Sequence, residues 1–362
     1  MADTSIPSTT TTRLSSQWRM KYQARDALSK LLITLLGLFI LAIFLLPLGY
    51  VLATAFKLDT QLTTPGAPLW PATQATYTYE GEEYPLYNVP VDGETKRLAI
   101  VEPHRESSDV VDPANPEAGI FKVEGRWRTW EAIYRFSPTL ENFITAWRQV
   151  NFLRLFRNSL LLASISTVGT LFACILVAYG FTRFNFPGKR FLFIVLISTI
   201  VLPPQATIVP LYILFSKLGW IGTWLPLLVP AFFANAYDVF LLRQYFMSIP
   251  RELDEAAMLD GADPPRILFS IIVPQSIPAI TAVAIFHFFF VWNQYFEPLV
   301  YLLGKEKLYP ISVGIGAFVT TFGNYPGRAA ATAVLAMLLP AVIFFLAQRQ
   351  FMQGVVVTGV EK

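Results

Sequence analysis

Long apolar segments separated by short polar ones dominate the pattern along the chain. A helix needs about 20 mostly apolar residues to cross a hydrocarbon core of about 30 Å. Segments of that length lie at 31–56, 159–182, 191–216, 220–242, 278–303 and 329–347. Prolines interrupt the third segment, and His287 and Glu297 interrupt the fifth, as is tolerated where neighbouring helices satisfy the freed backbone groups. The pattern predicts an all-α integral membrane protein with six transmembrane helices.

The polar intervals divide this chain into five predicted regions. Residues 1–30 form a cytoplasmic N-terminal tail whose first part is rich in Thr and Ser, and residues 31–56 form the first helix. Residues 57–158 form an insertion between the first and second helices. Residues 159–347 form a core of five helices, which contains a polar cytoplasmic loop at 248–274, and residues 348–362 form a cytoplasmic C-terminal tail.

The insertion at 57–158 has the pattern of strands rather than of a membrane span. Tyr and Val recur in short runs, and Val91-Asp92-Gly93-Glu94 is typical of a turn between two strands. We expect a small β-rich extracytoplasmic subdomain over about 70–125, followed by an amphipathic helix at 139–157 on the membrane surface. Two roles are open for the β-rich subdomain: docking an external binding protein, or stabilising the subunit.

Composition and charge agree with a membrane protein. The chain is 54% hydrophobic and 15% charged, with a mean hydropathy of +0.48. Basic residues concentrate in the segments predicted to be cytoplasmic, whereas the short external loops hold only Lys217, Lys305, Lys307 and Arg328. The positive-inside rule then predicts a multi-pass membrane protein with both termini in the cytoplasm. The net charge of +3 is explained by this topology and indicates no nucleic-acid partner.

The polar loop between the fourth and fifth apolar segments carries a spaced motif. Glu255, Ala256 and Ala257 are followed by Asp260 and Gly261, and then by Ile271, Val273 and Pro274. Ser248 and Asp263 are candidate helix caps, and Gly261 stands where a left-handed residue ends a helix. Small alanines permit a close approach by a partner, and Glu255 offers it a carboxylate. The alternative is an ordinary alanine-rich surface helix.

This spacing resembles the EAA loop of permease subunits in binding-protein-dependent ABC importers. The family pattern has Leu where Val273 stands. The resemblance implies that Glu255, Ala256, Ala257, Asp260, Gly261, Ile271 and Pro274 couple the chain to an ATPase.

Further segments are similar to the maltose-transporter (MalG-like) branch of carbohydrate permeases. They are residues 137–143, 241–246 and 249–253, Trp292-Asn293 with Pro298-Leu299, and the tail from Gln348 to Val360. This similarity implies coupling through tail residues Gly354, Thr358 and Gly359. It also implies a second permease subunit, a dimeric ABC ATPase, an extracytoplasmic sugar-binding protein and a di- or oligosaccharide substrate. The subunit itself would lie in the lipid bilayer of a bacterial cytoplasmic (inner) membrane.

The sequence has no motif that predicts an enzyme. Gly188-Lys189 is followed by Arg190 and lacks the upstream glycine of a phosphate-binding loop. We therefore expect no cofactor on this chain, with ATP and Mg used by the partner ATPase. His104 has no Cys or His neighbour in the sequence, so we expect no metal site.

Two weaker groups of candidate residues concern the solute. Gln205, Asn293 and Glu297 are candidates for the substrate path, because polar groups inside the membrane usually face a cavity or a partner helix; helix packing is the alternative. Gly323, Asn324 and Tyr325 form a turn between the fifth and sixth segments. The resemblance implies that this tip contacts the binding protein, whereas a simple connector is the alternative.

Other function classes stay open at this stage. The same hydropathy pattern fits an ion-coupled secondary transporter, which does not need an EAA-type loop. An ABC permease for a non-sugar solute fits the loop equally well. A membrane-bound enzyme or assembly factor with an external β-rich subdomain is a further alternative.

Overall fold

The computed structural model describes residues 16–91, 94–320 and 325–356. Its first element, α1 (Ser16–Ala55), is a helix of 40 residues. Apolar side chains surround its middle and are largely exposed, for example Phe44 at 77%. A helix that is apolar all round belongs in hydrocarbon or in a protein core. This exposure therefore fits contact with lipid.

Antiparallel strands follow α1 and the short helix α2 (Asp59–Thr63). They are β1 (Ala72–Gln74), β2 (Thr76–Tyr79), β3 (Glu82–Val91), β4 (Glu94–Pro103), β5 (Ser107–Val111), β6 (Ile120–Glu124), β7 (Glu131–Ala132) and β8 (Tyr134–Phe136). The larger sheet has the order β2-β3-β4-β5-β6, with β7 also paired to β3, while β1 pairs with β8. The predicted β-rich region is confirmed and continues to residue 136.

The register of the larger sheet gives this region its own core. Val91 on β3 pairs with Glu94 on β4, and the two central residues of the predicted turn, Asp92 and Gly93, are outside the described residues. Val89, Leu98 and Val110, from three neighbouring strands, are buried together with Trp130. Ala99 and Val111, the next residues on two of these strands, are also buried, so the sheet is covered on both faces at this point.

The rest of the chain is helical. The helices are α3 (Glu141–Gln149), α4 (Phe152–Arg183), α5 (Lys189–Ser198), α6 (Pro204–Lys217), α7 (Leu225–Leu228), α8 (Ala236–Ser248), α9 (Glu252–Leu259), α10 (Pro264–Ile267), α11 (Val273–Gln275), α12 (Ile277–Asn293), α13 (Phe296–Tyr301), α14 (Ile311–Thr320) and α15 (Pro326–Val356). A π-helical turn, Leu268–Ile272, joins α10 to α11.

Four helical segments of the described chain are long and apolar enough to cross a membrane. They are Arg25–Ala55, Phe152–Arg183, Leu225–Ser248 and Pro326–Gln348. Two further apolar segments are bent, by 101° between Val201 and Gln205 and by 80° between Gln275 and Ile277, so the count rises to six if each bent pair is one span. Pro203, Pro204 and Pro278 lie at these bends, where a missing N–H and a fixed φ favour a break.

Two predicted helices are wrong in extent. The surface helix expected at 139–157 is divided, because Asn151 has a φ of +52° between α3 and α4, and its second part is the start of α4. The fifth apolar segment does not continue as a helix to residue 303. Pro298 has no N–H to bond the carbonyl of Gln294 and its ring would clash there. Consequently α12 ends at Asn293, and Ser312 Oγ donates to that carbonyl at 2.6 Å.

The helical core is built around α4. This helix packs against α8 and α12, and the buried cluster that they share includes Cys174, Leu242, Phe246, Ile267 and Ile272. The last two residues come from the polar loop at 248–274, so the loop is anchored in the same core as the spans.

Candidate coupling site

The candidate coupling site is the pair of short helical segments α9 and α10–α11, which we call the coupling element. It leaves α8 at Ser248 and enters α12 at Ile277. Glu252, Asp254 and Glu255 occupy the first turn of α9, where carboxylates interact favourably with the helix dipole.

A buried ion pair fixes the coupling element to the end of α4. Arg183 Nε lies 2.6 Å from Asp254 Oδ2, and the two side chains are only 7% and 8% exposed. Burial raises the pKa of the Asp254 carboxyl, and the charges of Arg183 and Arg251 act against that rise. A charge pair this far from solvent is weak evidence of net stability but strongly constrains geometry, since losing one partner leaves a buried charge.

Three further hydrogen bonds join the same surfaces. Arg183 Nη2 donates to the Ile249 carbonyl at 3.1 Å, and Arg251 Nη2 donates to the Thr182 carbonyl at 3.3 Å. Tyr179 Oη donates to the Pro264 carbonyl at 3.2 Å. Both halves of the coupling element are therefore held by the last turns of α4, and displacement of the element would pull on that helix.

The outer face of the coupling element is exposed to solvent. Glu255, Ala256 and Asp260 are exposed, Ala257 is half-buried, and Leu259 is 90% exposed. Met258 also lies open to solvent. Large apolar side chains clustered around small and charged ones are characteristic of a surface that a partner protein covers.

The turn between the two helical segments has the predicted geometry. Gly261 has a φ of +79°, in the left-handed region, and no other atom would contact a Cβ placed there. The Asp263 side chain accepts from the Arg266 N–H at 3.0 Å and caps α10. Ile271 is half-buried and Pro274 is exposed. Ser248 does not cap α9, because it is the last residue of α8 and donates to the Tyr245 carbonyl.

The three substrate-path candidates are not brought together by hydrogen bonds. Gln205 is exposed on α6, just after the bend. Asn293 donates to the Phe289 carbonyl of its own helix, while Glu297 accepts from Gln294 across the break before α13. Asn293 and Glu297 therefore do not form the expected pair along one continuous helix.

Sequence reasoning missed a buried polar cluster between the spans. Asp238 Oδ2 lies 2.8 Å from His287 Nδ1, and both side chains are buried. His287 Nε2 is also 3.2 Å from Thr170 Oγ1 and 3.3 Å from Ser166 Oγ. The cluster joins α4, α8 and α12, and the only available signal was the rarity of ionisable residues within apolar segments.

The remaining candidates lie at the ends of the described chain segments. Gly354 falls in the last turns of α15, whereas Thr358 and Gly359 are outside the described residues. Gly323 and Asn324 are also outside them. Tyr325 is described, and its ring centroid lies 4.0 Å from the Arg328 guanidinium carbon. The predicted roles of the tail and of the tip stay predictions.

The β-rich region holds a group of possible metal ligands that the sequence analysis did not identify. Glu102, His104 and Asp109 place ligand atoms within 4.8 Å of one another, because Glu102 pairs with Asp109 across β4 and β5. His104 is partly exposed and lies 3.4 Å from Asp109. Exposed acidic groups often approach one another in this way, and the expectation of no metal stays a prediction.

Comparison with known proteins places the chain in a family. Residues 166–357 match the family described as "Binding-protein-dependent transport system inner membrane component". The chain is 35% identical over 207 residues to the osmoprotective compounds uptake permease protein GgtD of Synechocystis sp., covering 57% of this chain and 70% of the relative. It is 30% identical over 224 residues to the arabinooligosaccharides transport system permease protein AraQ of Halalkalibacterium halodurans, covering 62% and 80%.

The fold has a counterpart among solved structures. A chain of a bacterial ABC transporter involved in the import of the acidic polysaccharide alginate superposes with a TM-score of 0.59 at 18% identity, covering 93% of this chain and 99% of that one. At this identity the similarity concerns the fold alone. Together with the match over residues 166–357, which contains the whole coupling element, it confirms the resemblance drawn from the EAA-like spacing. The chain belongs to the family of inner-membrane permease components of binding-protein-dependent transport systems.

Proposed function

We propose that this permease imports a di- or oligosaccharide and that its coupling element is displaced when a docked ABC ATPase changes conformation. The observation that carries the proposal is the arrangement of α9. One face is fixed to α4 through the buried Arg183–Asp254 pair, and the opposite face exposes Glu255, Ala256 and Leu259. An element that is rigidly joined to the spans and bare on its outer side is suited to transmit the movement of a docked partner.

The mechanism follows from these connections. Closure of an ATPase dimer pushes on α9 and on α10–α11. Because the element is continuous with α8 and α12 and bonded to α4, these three helices move together. The movement opens the path across the membrane in alternation, and ATP with Mg is bound and hydrolysed on the ATPase. No catalytic group of the permease is needed.

The proposed assembly has the composition that family membership favours. Two permease subunits form the path, a dimeric ATPase lies on the cytoplasmic side, and an extracytoplasmic binding protein delivers the sugar. In this topology the two bent helix pairs each count as one span, which makes six. Both termini are cytoplasmic, the membrane is a bacterial inner membrane, and the β-rich region lies outside the cell membrane between the first and second spans.

Site roles within this assembly are also proposals. Ala257, Asp260, Gly261, Ile271 and Pro274 shape the ATPase-docking surface around Glu255, and the tail residues Gly354, Thr358 and Gly359 extend it. Gln205, Asn293 and Glu297 are the candidate substrate contacts on this chain. Gly323, Asn324 and Tyr325 form the tip that would contact the binding protein.

Uptake by the reconstituted transporter tests the function. The permease is placed in liposomes with its partner permease and ATPase, and uptake of radiolabelled arabinotriose, maltotriose and glycine betaine is measured with binding protein and internal ATP. We expect uptake of one of the two sugars that requires both ATP and binding protein. Uptake of glycine betaine alone would contradict the sugar class, and uptake driven by a membrane potential without ATP would contradict the coupling.

A further inference from the structure

A groove of about 780 Å³ opens on the β-rich region, apart from the coupling element and the spans. Its walls come from the loop before β1, from β1, β3, β4, β7 and β8, and from the turn before β7. Sites for small molecules typically have volumes of about 300–1,000 Å³. The size of the groove is therefore that of a binding site for a ligand of a few rings.

Aromatic side chains form one part of the groove. Trp70, Trp127 and Trp130 line it together with Tyr87 and Tyr134. Trp130 is buried in the sheet core, and Trp127 packs against the same core. Trp70 is 56% exposed, so its ring is available to a ligand.

A single glutamine fixes the loop that carries Trp70. Gln61 Nε2 donates to the Pro68 carbonyl at 2.9 Å and to the Trp70 carbonyl at 2.8 Å. Gln61 Oε1 accepts from the Ala72 N–H at 3.0 Å. The position of the Trp70 backbone therefore does not depend on its own side chain, and a change of that side chain should leave the loop in place.

Polar side chains form a second part of the groove, in a row set by strand register. Asn88 on β3 pairs with Arg97 on β4 and with Glu131 on β7. Directly opposite residues project from the same face of a sheet, so the three side chains are neighbours. Successive strand residues alternate between faces, so this row lies on the face opposite to the one that carries Tyr87 and the sheet core. Asn88 Nδ2 donates to Glu131 Oε2 at 3.1 Å. The row offers both hydrogen-bond donors and an acceptor along one line.

Two more polar groups complete the lining. The Arg128 guanidinium carbon lies 5.3 Å from the centroid of the Trp127 ring, a cation–π contact that keeps the charge beside the aromatic wall. Gln74 on β1 also lines the groove.

The exposed Trp70 ring and the polar row together match the two-sided chemistry of a sugar ring. A pyranose has a flat face of C–H groups that packs on an indole, and a rim of hydroxyls that both donate and accept hydrogen bonds. A purely apolar ligand would make no hydrogen bonds with Arg97, Asn88 and Glu131.

We propose that this groove is an oligosaccharide-binding site, with Trp70 as the stacking platform and Arg97, Asn88 and Glu131 as the hydroxyl partners. The choice of ligand rests on the proposed sugar-import function. The site is separate from the candidate path residues in the spans. It would hold part of the transported oligosaccharide at the β-rich region of the permease itself, without the binding protein.

Ligand-observed saturation-transfer NMR on the full-length chain in lipid nanodiscs tests this site, with maltotetraose and tetragalacturonate as probes. We expect saturation transfer to one of them in the absence of any binding protein. Trp70→Ala should weaken that binding about tenfold, the loss expected when an aromatic contact is removed. Phe136→Ala is the matched control, because Phe136 is 72% exposed on β8 and does not line the groove.

Each outcome decides the proposal. Arg97→Ala should also weaken binding, which guards against an effect of Trp70→Ala on folding of the loop. Transfer to neither probe, or equal transfer in wild-type, Trp70→Ala and Arg97→Ala chains, would overturn the groove as a sugar site. Sugar uptake by the reconstituted importer is measured in parallel. Normal uptake without groove binding overturns only this inference, whereas absence of sugar uptake overturns the proposed function.

Discussion

Arg183 Nε and Asp254 Oδ2 lie 2.6 Å apart where the coupling element packs against α4. Removing the charge of either side chain leaves the other charge buried and unpaired. Removing one partner of a buried pair typically costs about 3–5 kcal/mol, whereas replacing both with apolar residues is often nearly neutral. We expect Arg183→Met to lower the thermal midpoint of the purified chain. Adding Asp254→Leu should restore much of the loss.

Differential scanning fluorimetry of the single and double variants in detergent checks this coupling. Arg190→Met is the control, since Arg190 is a nearby basic residue that is exposed. Strictly additive losses in the double variant would mean that the two side chains contribute independently, and the pair would not be what holds the element.

Glu255 is the residue whose change separates docking from folding. Its side chain is exposed at the start of α9, so Glu255→Lys should leave expression and stability of the permease unchanged. Because the charge on the docking surface is reversed, we expect less ATPase to co-purify with the affinity-tagged permease. Glu306→Lys reverses an exposed carboxylate on a different loop and should recover ATPase at the wild-type level. If Glu255→Lys recovers as much ATPase as the wild-type permease, Glu255 does not contact the ATPase.

Local backbone chemistry was predictable at the residue scale, and long-range pairing was not. The left-handed Gly261 and the Asp263 cap depend on residues close in sequence, and both were expected. Ser248 looked equally suitable as a cap, but α8 continues through it. The Arg183–Asp254 and Asp238–His287 pairs join residues far apart in the chain, so no local pattern could indicate them.

The turn within the coupling element, between α9 and α10, depends on the backbone conformation of Gly261. At a φ of +79°, Gly261→Val places a β-branched side chain in a left-handed conformation, which costs about 1–2 kcal/mol. Since the turn is peripheral, we expect normal membrane insertion and reduced sugar uptake. Asn tolerates this region of conformational space, so Gly261→Asn should retain most uptake. Wild-type uptake by the Val variant would show that the turn geometry does not matter for coupling.

The C-terminal tail provides a second test at this scale. Deleting residues 354–362 removes Gly354, Thr358 and Gly359 while leaving the apolar part of α15, which spans Pro326–Gln348. We expect the truncated complex to insert normally and to show lower ATPase stimulation by sugar-loaded binding protein. The assay compares phosphate release by full-length and truncated complexes. Unchanged stimulation would make the tail an inert end.

At the scale of elements, the apolar helices and the β-rich region were both predictable, because long apolar runs and short runs of Tyr and Val are visible in the sequence itself. The breaks were less predictable: the carbonyl of Gln294 is taken up by Ser312 from another helix, and α3 and α4 separate at Asn151. The aromatic groove depends on how four separate chain segments meet, which composition cannot indicate.

For the whole molecule, the central claim is that the coupling element of this permease contacts an ATPase on the proposed cytoplasmic side. A single cross-linking experiment tests that contact most directly. Cys174 is the chain's one cysteine and is buried, so Ala256→Cys introduces an exposed thiol on the outer face of α9. A bifunctional maleimide–NHS reagent is then applied to membranes that contain the assembled complex. We predict a cross-linked permease–ATPase band from Ala256→Cys and none from Glu306→Cys on the opposite side of the proposed topology. A band of equal strength from Glu306→Cys, or no band from Ala256→Cys in complexes that transport normally, would contradict the account.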